Sequence, residues 1–304
     1  MQTIIDFHSH LGDILYPGGG GLIEKRGINK KSWFDPITLG QLTLNRHFGL
    51  GKIQHRLFSS WFVKAEQARN ATATRENARL TMDKSGVTHT VCMPIPPYVE
   101  FSDLRKASEK DSGLIPFTGV NFNHLNKLES QFAEDVKLGA KGLKLHPIIQ
   151  KISLTDERMI DAIKAFSKYE LPILFHAGIS YYYRGKEQNR NSPENGNIDD
   201  AIRMVRRFPA VKFVVGHAGM FEIAQVIRGF EDLSNVWVDT SFQSPGSIRK
   251  LIKAFGEDKV LFASDWPFGS RDVAVKAVQK ACRGDHLLQR KLLSENAANL
   301  LGFK

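Results

Sequence analysis

The chain has 304 residues, of which 42% are hydrophobic and 24% are charged. This composition excludes a disordered chain, a collagen, a coiled coil and a small disulfide-stapled protein. The 42 basic and 32 acidic residues give a formal net charge of +10, which predicts an anionic partner of some kind.

The cysteine content and the absence of long apolar runs indicate the cellular compartment in which the protein is expected. Two cysteines, Cys92 and Cys282, are too few for a disulfide framework or a four-thiolate zinc site. The N-terminus lacks the pattern of a secretion signal, and no run of roughly 18 apolar residues predicts a membrane span. We therefore expect a cytoplasmic protein with no membrane partner.

Short apolar runs that end in polar or small residues alternate with longer amphipathic stretches. The runs predict eight β-strands, at residues 4–10, 87–93, 115–121, 142–147, 172–177, 211–219, 236–241 and 260–267. Apolar residues spaced three and four apart predict helices between them, at 128–138, 156–169, 199–207, 223–230 and 247–255. Strands that alternate with helices pair in parallel through right-handed crossovers.

Eight strand–helix units in a chain of this length predict an α/β protein, a closed (β/α)8 TIM barrel that forms one domain over residues 1–304. An open doubly wound sheet is the alternative, but it calls for a glycine-rich phosphate-binding turn directly after the first strand. The four glycines at 18–21 come too late for that turn and follow Tyr16 and Pro17, which indicates a loop. The barrel is therefore favoured.

The stretch between the first two predicted strands is longer than a barrel crossover requires. Within it, residues 63–84 predict the first barrel helix, and residues 14–62 predict a cap insertion rich in aromatic residues. Because this cap follows the C-terminal end of a strand, we expect it over the face where barrel active sites lie. An exposed aromatic insertion also predicts a homodimer.

Histidines and an aspartate follow the ends of several predicted strands. The first strand ends in DFHSH, and strand alternation turns His8 and His10 to the same side. His176, His217 and Asp265 follow the fifth, sixth and eighth strands. Such ends converge on one mouth of a barrel, where imidazoles and a carboxylate with an open position suit a catalytic Zn, Mn or Fe ion.

This arrangement resembles the amidohydrolase superfamily of metal-dependent barrels. The most similar branch contains aminocarboxymuconate-semialdehyde decarboxylase, resorcylate-type decarboxylases, hydrolases and lactonases. Three phrases of the sequence are similar to the motifs of that branch, namely RFPAVKFVVGHAG, VLFASDWP and ENAANLLGF. The resemblance extends over nearly the whole chain outside residues 14–80.

The resemblance implies that one divalent metal ion is bound by His8, His10, His176 and Asp265, with Zn favoured over Mn or Fe; a second ion stays an open alternative. It also implies that His217 is a catalytic acid/base and that Asp265 takes a proton from a water molecule. The chain is then expected to be a metal-dependent hydrolase acting on a small anionic organic acid, amide or lactone. A nonoxidative decarboxylase of an aromatic or unsaturated carboxylic acid, with the same metal site, is the alternative.

Lys144 and His146 follow the fourth predicted strand, and three interpretations of Lys144 stay open. Lys144 binds a substrate carboxylate, or it forms an ion pair that holds the strand end to a neighbouring carboxylate, or it is carboxylated to a carbamate that bridges two metal ions. His146 is a further candidate substrate contact. Arg46, or instead Arg56, is a candidate cap cation for a substrate carboxylate. Asp239, which ends the seventh strand, either orients a ligand histidine or caps the following loop.

Two further functional classes account for the basic charge. A two-metal phosphodiesterase or nuclease also begins with His-x-His, but that class resembles sites with a glutamate after the fourth strand, where this chain has Lys144 and His146. A non-enzymatic binder of nucleic acid or membrane surfaces leaves the metal ligands unexplained. Residues 14–80 carry eleven basic and four acidic residues, and so hold most of the net charge. We therefore expect a cationic cap that attracts a small anionic substrate, and no nucleic-acid partner; a solvated basic surface is the alternative.

Overall fold

The structure is a computed structural model, which describes residues 3–29, 35–37 and 57–303. Parallel strands occupy its centre, and their bounds follow the eight predicted runs. They are β1 (Ile5–Ser9), β2 (His89–Cys92), β3 (Leu114–Pro116), β4 (Thr118–Gly119), β5 (Leu143–Leu145), β6 (Ile173–His176), β7 (Phe213–Gly216), β8 (Val236–Asp239) and β9 (Val260–Leu261). The third predicted strand is divided at Phe117 into β3 and β4.

Backbone hydrogen bonds join these strands into a ring. The strand order is β1-β2-β3 and β4-β5-β6-β7-β8-β9, and every neighbouring pair is parallel. Phe117, between β3 and β4, donates its N–H to the Cys92 carbonyl at 2.9 Å, and Phe7 donates to the Phe262 carbonyl at 2.9 Å. β1 therefore pairs with β2 on one side and with the segment after β9 on the other, which confirms the predicted α/β barrel.

Helices surround the strands. They are α1 (Ser59–Asn70), α2 (Arg75–Ser85), α3 (Phe101–Ser108), α4 (Leu128–Lys137), α5 (Pro147–Gln150), α6 (Glu157–Ser167), α7 (Ile198–Arg206), α8 (Ile223–Phe230), α9 (Pro245–Phe255), α10 (Arg271–Cys282), α11 (His286–Arg290) and α12 (Asn296–Leu301). The five helices predicted between residues 128 and 255 end within two residues of their expected bounds. Across the described ranges, no helix has the length and apolar character needed to cross a membrane.

Residues 63–84 form two helices, so the prediction of a single barrel helix there is wrong. α1 ends at Asn70, and α2 begins after Thr74, whose Oγ1 accepts the Asn77 N–H at 3.1 Å. Thr74 has an extended backbone, as helix N-caps do, and the turn before it breaks the helical period. α2 is the barrel helix and packs against α10, whereas α1 belongs to the cover over the strand ends.

Two apolar layers enclose the strands. Phe7, Phe117 and Leu174 lie in the layer inside the barrel, where the rings of Phe7 and Phe117 meet edge to face at 5.9 Å between centroids. Leu300 and Leu301 of α12 join this layer beside Ile5, at the start of β1. The opposite strand faces pack against the helices. Apolar side chains therefore fill the N-terminal end of the barrel, and polar groups are left to the C-terminal end.

A bulge in β1 sets the direction of its histidines. The pairing with β2 runs from Asp6 opposite Thr90 to Ser9 opposite Cys92, so three steps along β1 match two along β2. The side chain of Phe7 lies inside the barrel. In a regular strand, in which successive side chains alternate between the two faces, the next residue, His8, would therefore point outward. The extra residue of the bulge instead places both Phe7 and His8 on the inner side, while Asp6 and Ser9 face outward.

Candidate metal centre

Polar side chains from the strand ends meet at the C-terminal end of the barrel. All of the predicted site residues within the described ranges are buried there, together with the possible orienting carboxylate; they are His8, His10, Lys144, His146, His176, His217, Asp239 and Asp265. Arg46 and its alternative Arg56 lie outside the described residues.

The histidine pair of β1 is oriented by hydrogen bonds at its Nδ1 atoms. His8 Nδ1 donates to Asp239 Oδ2 at 2.9 Å, and His10 Nδ1 donates to the Met93 carbonyl at 2.9 Å. These acceptors assign the ring proton to Nδ1, so Nε2 of each ring carries a lone pair. Both Nε2 atoms face Asp265 Oδ1, which lies 3.5 Å from His8 and 3.4 Å from His10.

His176 and His217 are held in the same way. His217 Nδ1 lies 2.7 Å from Ser241 Oγ, whose own proton goes to Asp239 Oδ1 at 2.5 Å, so His217 donates to the serine. His176 Nε2 donates to the Gly178 carbonyl at 3.2 Å. The remaining nitrogens, His217 Nε2 and His176 Nδ1, face each other across 3.2 Å. Two neutral imidazoles supply no proton for this contact, so their lone pairs converge on a position suited to a cation.

Burial keeps these imidazoles neutral. It lowers the pKa of His8, His10 and His217 well below the usual range of histidine, and neighbouring positive charge lowers those pKa values further. Burial also lowers the pKa of His176 to about 3. A neutral imidazole is the form that binds a metal ion.

Asp265 supplies a carboxylate whose Oδ1 is buried and has no hydrogen-bond partner among the described residues. Burial raises the pKa of Asp265 well above its usual range, against the lowering effect of Lys144. An unpaired buried oxygen costs about 1–3 kcal/mol, and a cation held between His8, His217 and Asp265 removes that cost. Ligand atoms of these three residues lie within 4.8 Å of one another.

Lys144 lies within the same cluster. Its Nζ is 2.9 Å from His8 Nε2, and burial lowers the pKa of Lys144 to about 7, against the raising effects of Asp265 and Asp239. Within the described part of the chain, Lys144 forms no ion pair with a carboxylate, which disfavours its interpretation as a tie for the strand end. Substrate binding and carbamate formation stay predictions.

The backbone is strained at two of these positions. His217 has φ 57° and Asp265 has φ 55°, and the chain remains at positive φ from His217 to Met220. Such conformations persist only where the surroundings enforce them, and they concentrate at functional sites. Gln243 Nε2 donates to the His217 carbonyl at 2.6 Å, and the Asp265 N–H donates to the His8 carbonyl at 2.8 Å, which holds both turns in place.

His146 lies behind the cluster, beside a histidine ring. Its ring stacks on His176 at 4.4 Å between centroids, its Nδ1 accepts the Ile149 N–H at 3.3 Å, and its Nε2 is 3.2 Å from the Tyr182 hydroxyl. The structure thus gives His146 contacts that support the His176 ring. Its predicted contact with a substrate stays a prediction.

Helix α1 covers the cluster and forms hydrogen bonds with the loops that follow two different strands. Gln67 Nε2 donates to the Tyr182 carbonyl at 3.0 Å, and Arg69 Nη1 donates to the Phe268 carbonyl at 2.6 Å. Part of the chain predicted to be a barrel helix therefore belongs to the cover. Glu66 of α1, like Ser241, is absent from the predicted site residues, because neither belongs to a motif.

Several arginines of the basic cap are already paired. The pairs are Arg69 with Asp35 at 2.8 Å, Arg75 with Glu24 at 3.0 Å, and Arg79 with Asp111. These arginines are therefore neutralised within the protein. A cationic cap that attracts substrate stays a prediction for the remaining basic residues.

Comparisons with known proteins place the chain in a family. The amidohydrolase family model matches residues 5–303. The chain belongs to the amidohydrolase family. As an amidohydrolase-family protein it is an enzyme of the hydrolase or lyase type, which agrees with the expectation from the sequence. No curated protein matches the sequence.

Solved structures share the fold of this amidohydrolase-family chain at low sequence identity. A probable 2-pyrone-4,6-dicarboxylic acid hydrolase from Acinetobacter baumannii has a TM-score of 0.59 and 14% identity, covering 99% of this chain and 100% of that one. The 2,6-dihydroxybenzoate decarboxylase from Rhizobium has a TM-score of 0.67 and 14% identity, covering 99% of both chains. A 5-carboxyvanillate decarboxylase from Novosphingobium aromaticivorans, complexed with manganese, has a TM-score of 0.67 and 15% identity, covering 99% of this chain and 96% of that one.

The residues of the chain fit a metal ion. Four imidazole nitrogens without a proton and an unpartnered carboxylate oxygen lie in one buried cluster, where His8 Nε2 also accepts from Lys144 Nζ. Each ring is fixed through its other nitrogen, as is usual for metal-binding histidines. This cluster, in an amidohydrolase-family barrel, is a metal site.

Proposed function

We propose that the chain is a metal-dependent hydrolase acting on a small anionic organic acid, amide or lactone. The observation that carries the proposal is the cluster of inward-facing imidazole nitrogens beside Asp265. Nε2 of His8 and His10 lies 3.5 and 3.4 Å from Asp265 Oδ1. His217 Nε2 lies 3.9 Å from Asp265 Oδ2 and 3.2 Å from His176 Nδ1. Histidine and carboxylate ligands with an open position are typical of catalytic rather than structural metal sites.

His8, His10, His176 and Asp265 would hold one divalent ion, with zinc favoured over manganese or iron. When bound, the ion polarises a substrate oxygen and makes a water molecule more acidic. His217 Nε2 is directed at the same position and lies 3.9 Å from Asp265 Oδ2. We therefore assign His217 to acid/base chemistry, and a further ligand is its alternative role.

Asp265 and His217 handle the protons in this proposal. Asp265 takes a proton from the attacking water. His217 Nε2 passes a proton to or from the substrate. Ser241 and Asp239 hold the His217 ring through Nδ1, and the carboxylate of Asp239 stabilises the ring when it carries a charge.

Nonoxidative decarboxylation is the second candidate, because Lys144 places a buried amine beside the centre where a substrate carboxylate can bind. The two reactions are separated by incubating metal-loaded protein with 2-pyrone-4,6-dicarboxylate and with 2,6-dihydroxybenzoate. Hydrolysis opens the lactone and consumes base without releasing carbon dioxide. Carbon dioxide release from the aromatic acid, with no lactone opening, selects the decarboxylase.

The roles of the two neighbouring histidines are tested by a matched pair of variants. We expect His217→Asn to retain about one ion per chain while turnover falls by roughly 10²- to 10⁴-fold. We expect His176→Asn to lose the ion. Elemental analysis measures both, and loss of metal from His217→Asn would show that His217 is a ligand.

We further propose a cytoplasmic homodimer that binds neither nucleic acid nor membranes. Cys92 and Cys282 are both unpaired and buried, which suits a reducing compartment. Leu57 and Phe58 are 72% and 55% exposed, which supports an apolar contact between two copies. Sedimentation of the purified protein tests the dimer, and cell fractionation tests the location.

A further inference from the structure

Glu66 lies on the face of α1 that covers the metal centre. Phe62 and Ala65, on the same helix, pack with the partly buried Phe242, whose ring is 5.6 Å from the His217 ring. Glu66 follows Phe62 by four positions, so both side chains leave the helix on the same side. Glu66 therefore faces the strand ends that carry the metal-binding residues.

One carboxyl oxygen of Glu66 is buried without a hydrogen-bond partner. This atom, Oε2, is inaccessible to solvent and accepts no hydrogen bond within the described part of the chain. Asp135, another carboxyl with a pKa raised by burial, instead accepts hydrogen bonds from Thr118 Oγ1 at 2.6 Å and Gln131 Nε2 at 3.3 Å. Native proteins rarely leave such a group unpaired, and an unpaired group calls for a ligand or another functional explanation.

The electrostatics place Glu66 near the reacting groups. After the effect of burial, the Glu66 charge adds to the rise in the pKa values of both Tyr182 and Asp265. Burial raises the pKa of Glu66 itself to about 8, against the lowering effect of Arg69. Glu66 is thus mostly protonated at neutral pH, and a neutral carboxyl can donate a hydrogen bond to an anion without repelling it.

Building on the proposed function, we propose that Glu66 is a substrate-binding residue whose carboxyl forms a hydrogen bond with a second oxygen-bearing group of the substrate, at the end away from the metal centre. The substrate class is then a bifunctional acid, such as a dicarboxylate or a hydroxycarboxylate. One oxygen group binds at the metal centre, and the other meets Glu66 beneath α1.

The stability of Glu66→Leu separates this role from a structural one. Leucine removes an unpartnered polar group from a buried position, so we expect the Tm of the ligand-free protein to stay unchanged or to rise by roughly 2–4 °C. Asp135→Leu is the matched control: it removes a partnered carboxyl away from the centre, and we expect its Tm to fall. A lower Tm in Glu66→Leu overturns the proposal, because Glu66 then has a partner in the free protein.

Ligand affinity tests the contact itself. The probes are 2-pyrone-4,6-dicarboxylate and 2,6-dihydroxybenzoate, with monofunctional benzoate as the reference, measured by calorimetry on metal-loaded protein. We expect Glu66→Leu to weaken the affinity for the bifunctional acids by about 10- to 100-fold and to leave the affinity for benzoate unchanged. Lys64→Leu, on the exposed side of α1, is expected to leave all three affinities unchanged. Equal affinities in wild type and Glu66→Leu overturn the proposal.

The pH dependence identifies Glu66 as the group that acts. In the wild type, binding of the bifunctional acids weakens above about pH 8, where Glu66 ionises and repels them. Among the described residues, the charged or titratable groups whose charges interact with that of Glu66 are Arg69, Tyr182 and Asp265. We expect Glu66→Gln, which keeps a hydrogen-bond donor, to bind as at neutral pH and to lose this decline. Deprotonation of Lys144, whose pKa is lowered to about 7, changes binding equally in both proteins. An equal decline above about pH 8 in the wild type and in Glu66→Gln therefore overturns the proposal.

Failure of the proposed function leaves a different signature. If wild-type protein binds the bifunctional acids but converts neither of them, the hydrolase and decarboxylase assignments fail, while a loss of affinity in Glu66→Leu still supports the contact. If the wild type turns over either acid and Glu66→Leu does so with the same KM, the proposed function stands and the contact is refuted.

Discussion

β1 carries two buried polar clusters, one on each face, and they differ in how completely they are paired. On the outer face, Asp6 accepts hydrogen bonds from the Ser264 N–H at 2.8 Å and from Arg271 Nε at 3.1 Å. The Arg271 guanidinium also donates to Thr81 Oγ1 at 2.5 Å and to Thr90 Oγ1 at 3.3 Å. Charge and hydrogen bonding are satisfied there without any ligand.

On the inner face, two residues further along the strand, the hydrogen-bonding groups of the cluster are not all paired. Nδ1 of His8 and of His10 is paired, and Lys144 Nζ lies 2.9 Å from His8 Nε2. Nε2 of both rings nevertheless faces Asp265 Oδ1, which has no hydrogen-bond partner among the described residues.

We call the network of Asp6 and Arg271 the closed cluster, because its charges and hydrogen bonds are satisfied within the protein. We call the group of His8, His10 and Asp265 the open cluster, because it leaves a buried oxygen atom without a partner. The closed cluster stabilises the fold, whereas the open cluster is suited to bind a ligand.

The largest effect is expected from Asp265→Asn, which replaces the carboxylate whose Oδ1 accepts no hydrogen bond among the described residues. We expect bound metal to fall from about one ion per chain to near zero, and turnover to fall by at least about 10³-fold. The free energy of unfolding of the metal-free variant should equal that of the wild type or exceed it by up to about 2 kcal/mol. Elemental analysis and urea unfolding measure these quantities, and marked destabilisation of the metal-free variant would contradict the open character of the cluster.

Arg271→Met tests the closed cluster. It leaves Asp6 buried without its ion-pair partner, and we expect the free energy of unfolding to fall by about 3–5 kcal/mol. Adding Asp6→Asn should recover part of this loss, because it removes the uncompensated charge. Urea unfolding of the single and double variants measures the effect. A loss below about 1 kcal/mol would mean that the pair contributes no more than a surface pair does.

Asp239→Asn tests the link between structure and site, because Asp239 accepts from His8 Nδ1 and from Ser241 Oγ. The amide keeps one acceptor oxygen and loses the other, so His8 is held less well. We expect metal affinity to weaken by about 10- to 100-fold, with turnover restored at saturating metal. Titration against a competing chelator measures the affinity. An unchanged affinity would show that Asp239 does not orient His8.

The smallest effect is expected at an exposed ion pair outside both clusters. The hydrogen bond from Arg75 lowers the pKa of Glu24 from 4.5 to about 2, with Lys110 adding to this effect. A lowered pKa contributes stability above about pH 4.5, and that stability is lost as pH falls toward 2. Because solvent screens the pair, we expect Glu24→Gln to cost less than about 1 kcal/mol at pH 7 and nothing near pH 2. Urea unfolding at both pH values checks the sign.

Local patterns in the sequence determined most of the fold. The alternation of apolar strands and amphipathic helices predicted the barrel, because burial on both faces of a parallel strand leaves a continuous apolar run. Helix bounds from residue 128 to 255 were also predicted, because the period of 3.6 residues is a local property. The prediction failed over residues 63–84, where the cap formed by Thr74 divides one expected helix into α1 and α2.

The strand-end positions of the site residues were determined by the sequence as well, since the ends of parallel strands meet in a barrel whatever the intervening chain. The hydrogen bonds between these residues could not be predicted from the sequence. Asp239 orients His8 across 231 positions of sequence, and the bulge that turns His8 inward appears only when β1 pairs with β2. Glu66 belongs to no motif and becomes notable only once α1 lies over the barrel and leaves its Oε2 without a hydrogen-bond partner among the described residues. Residue type and period thus determined which groups reach the mouth, whereas contacts between distant segments decided which atoms are satisfied and which stay open to a ligand.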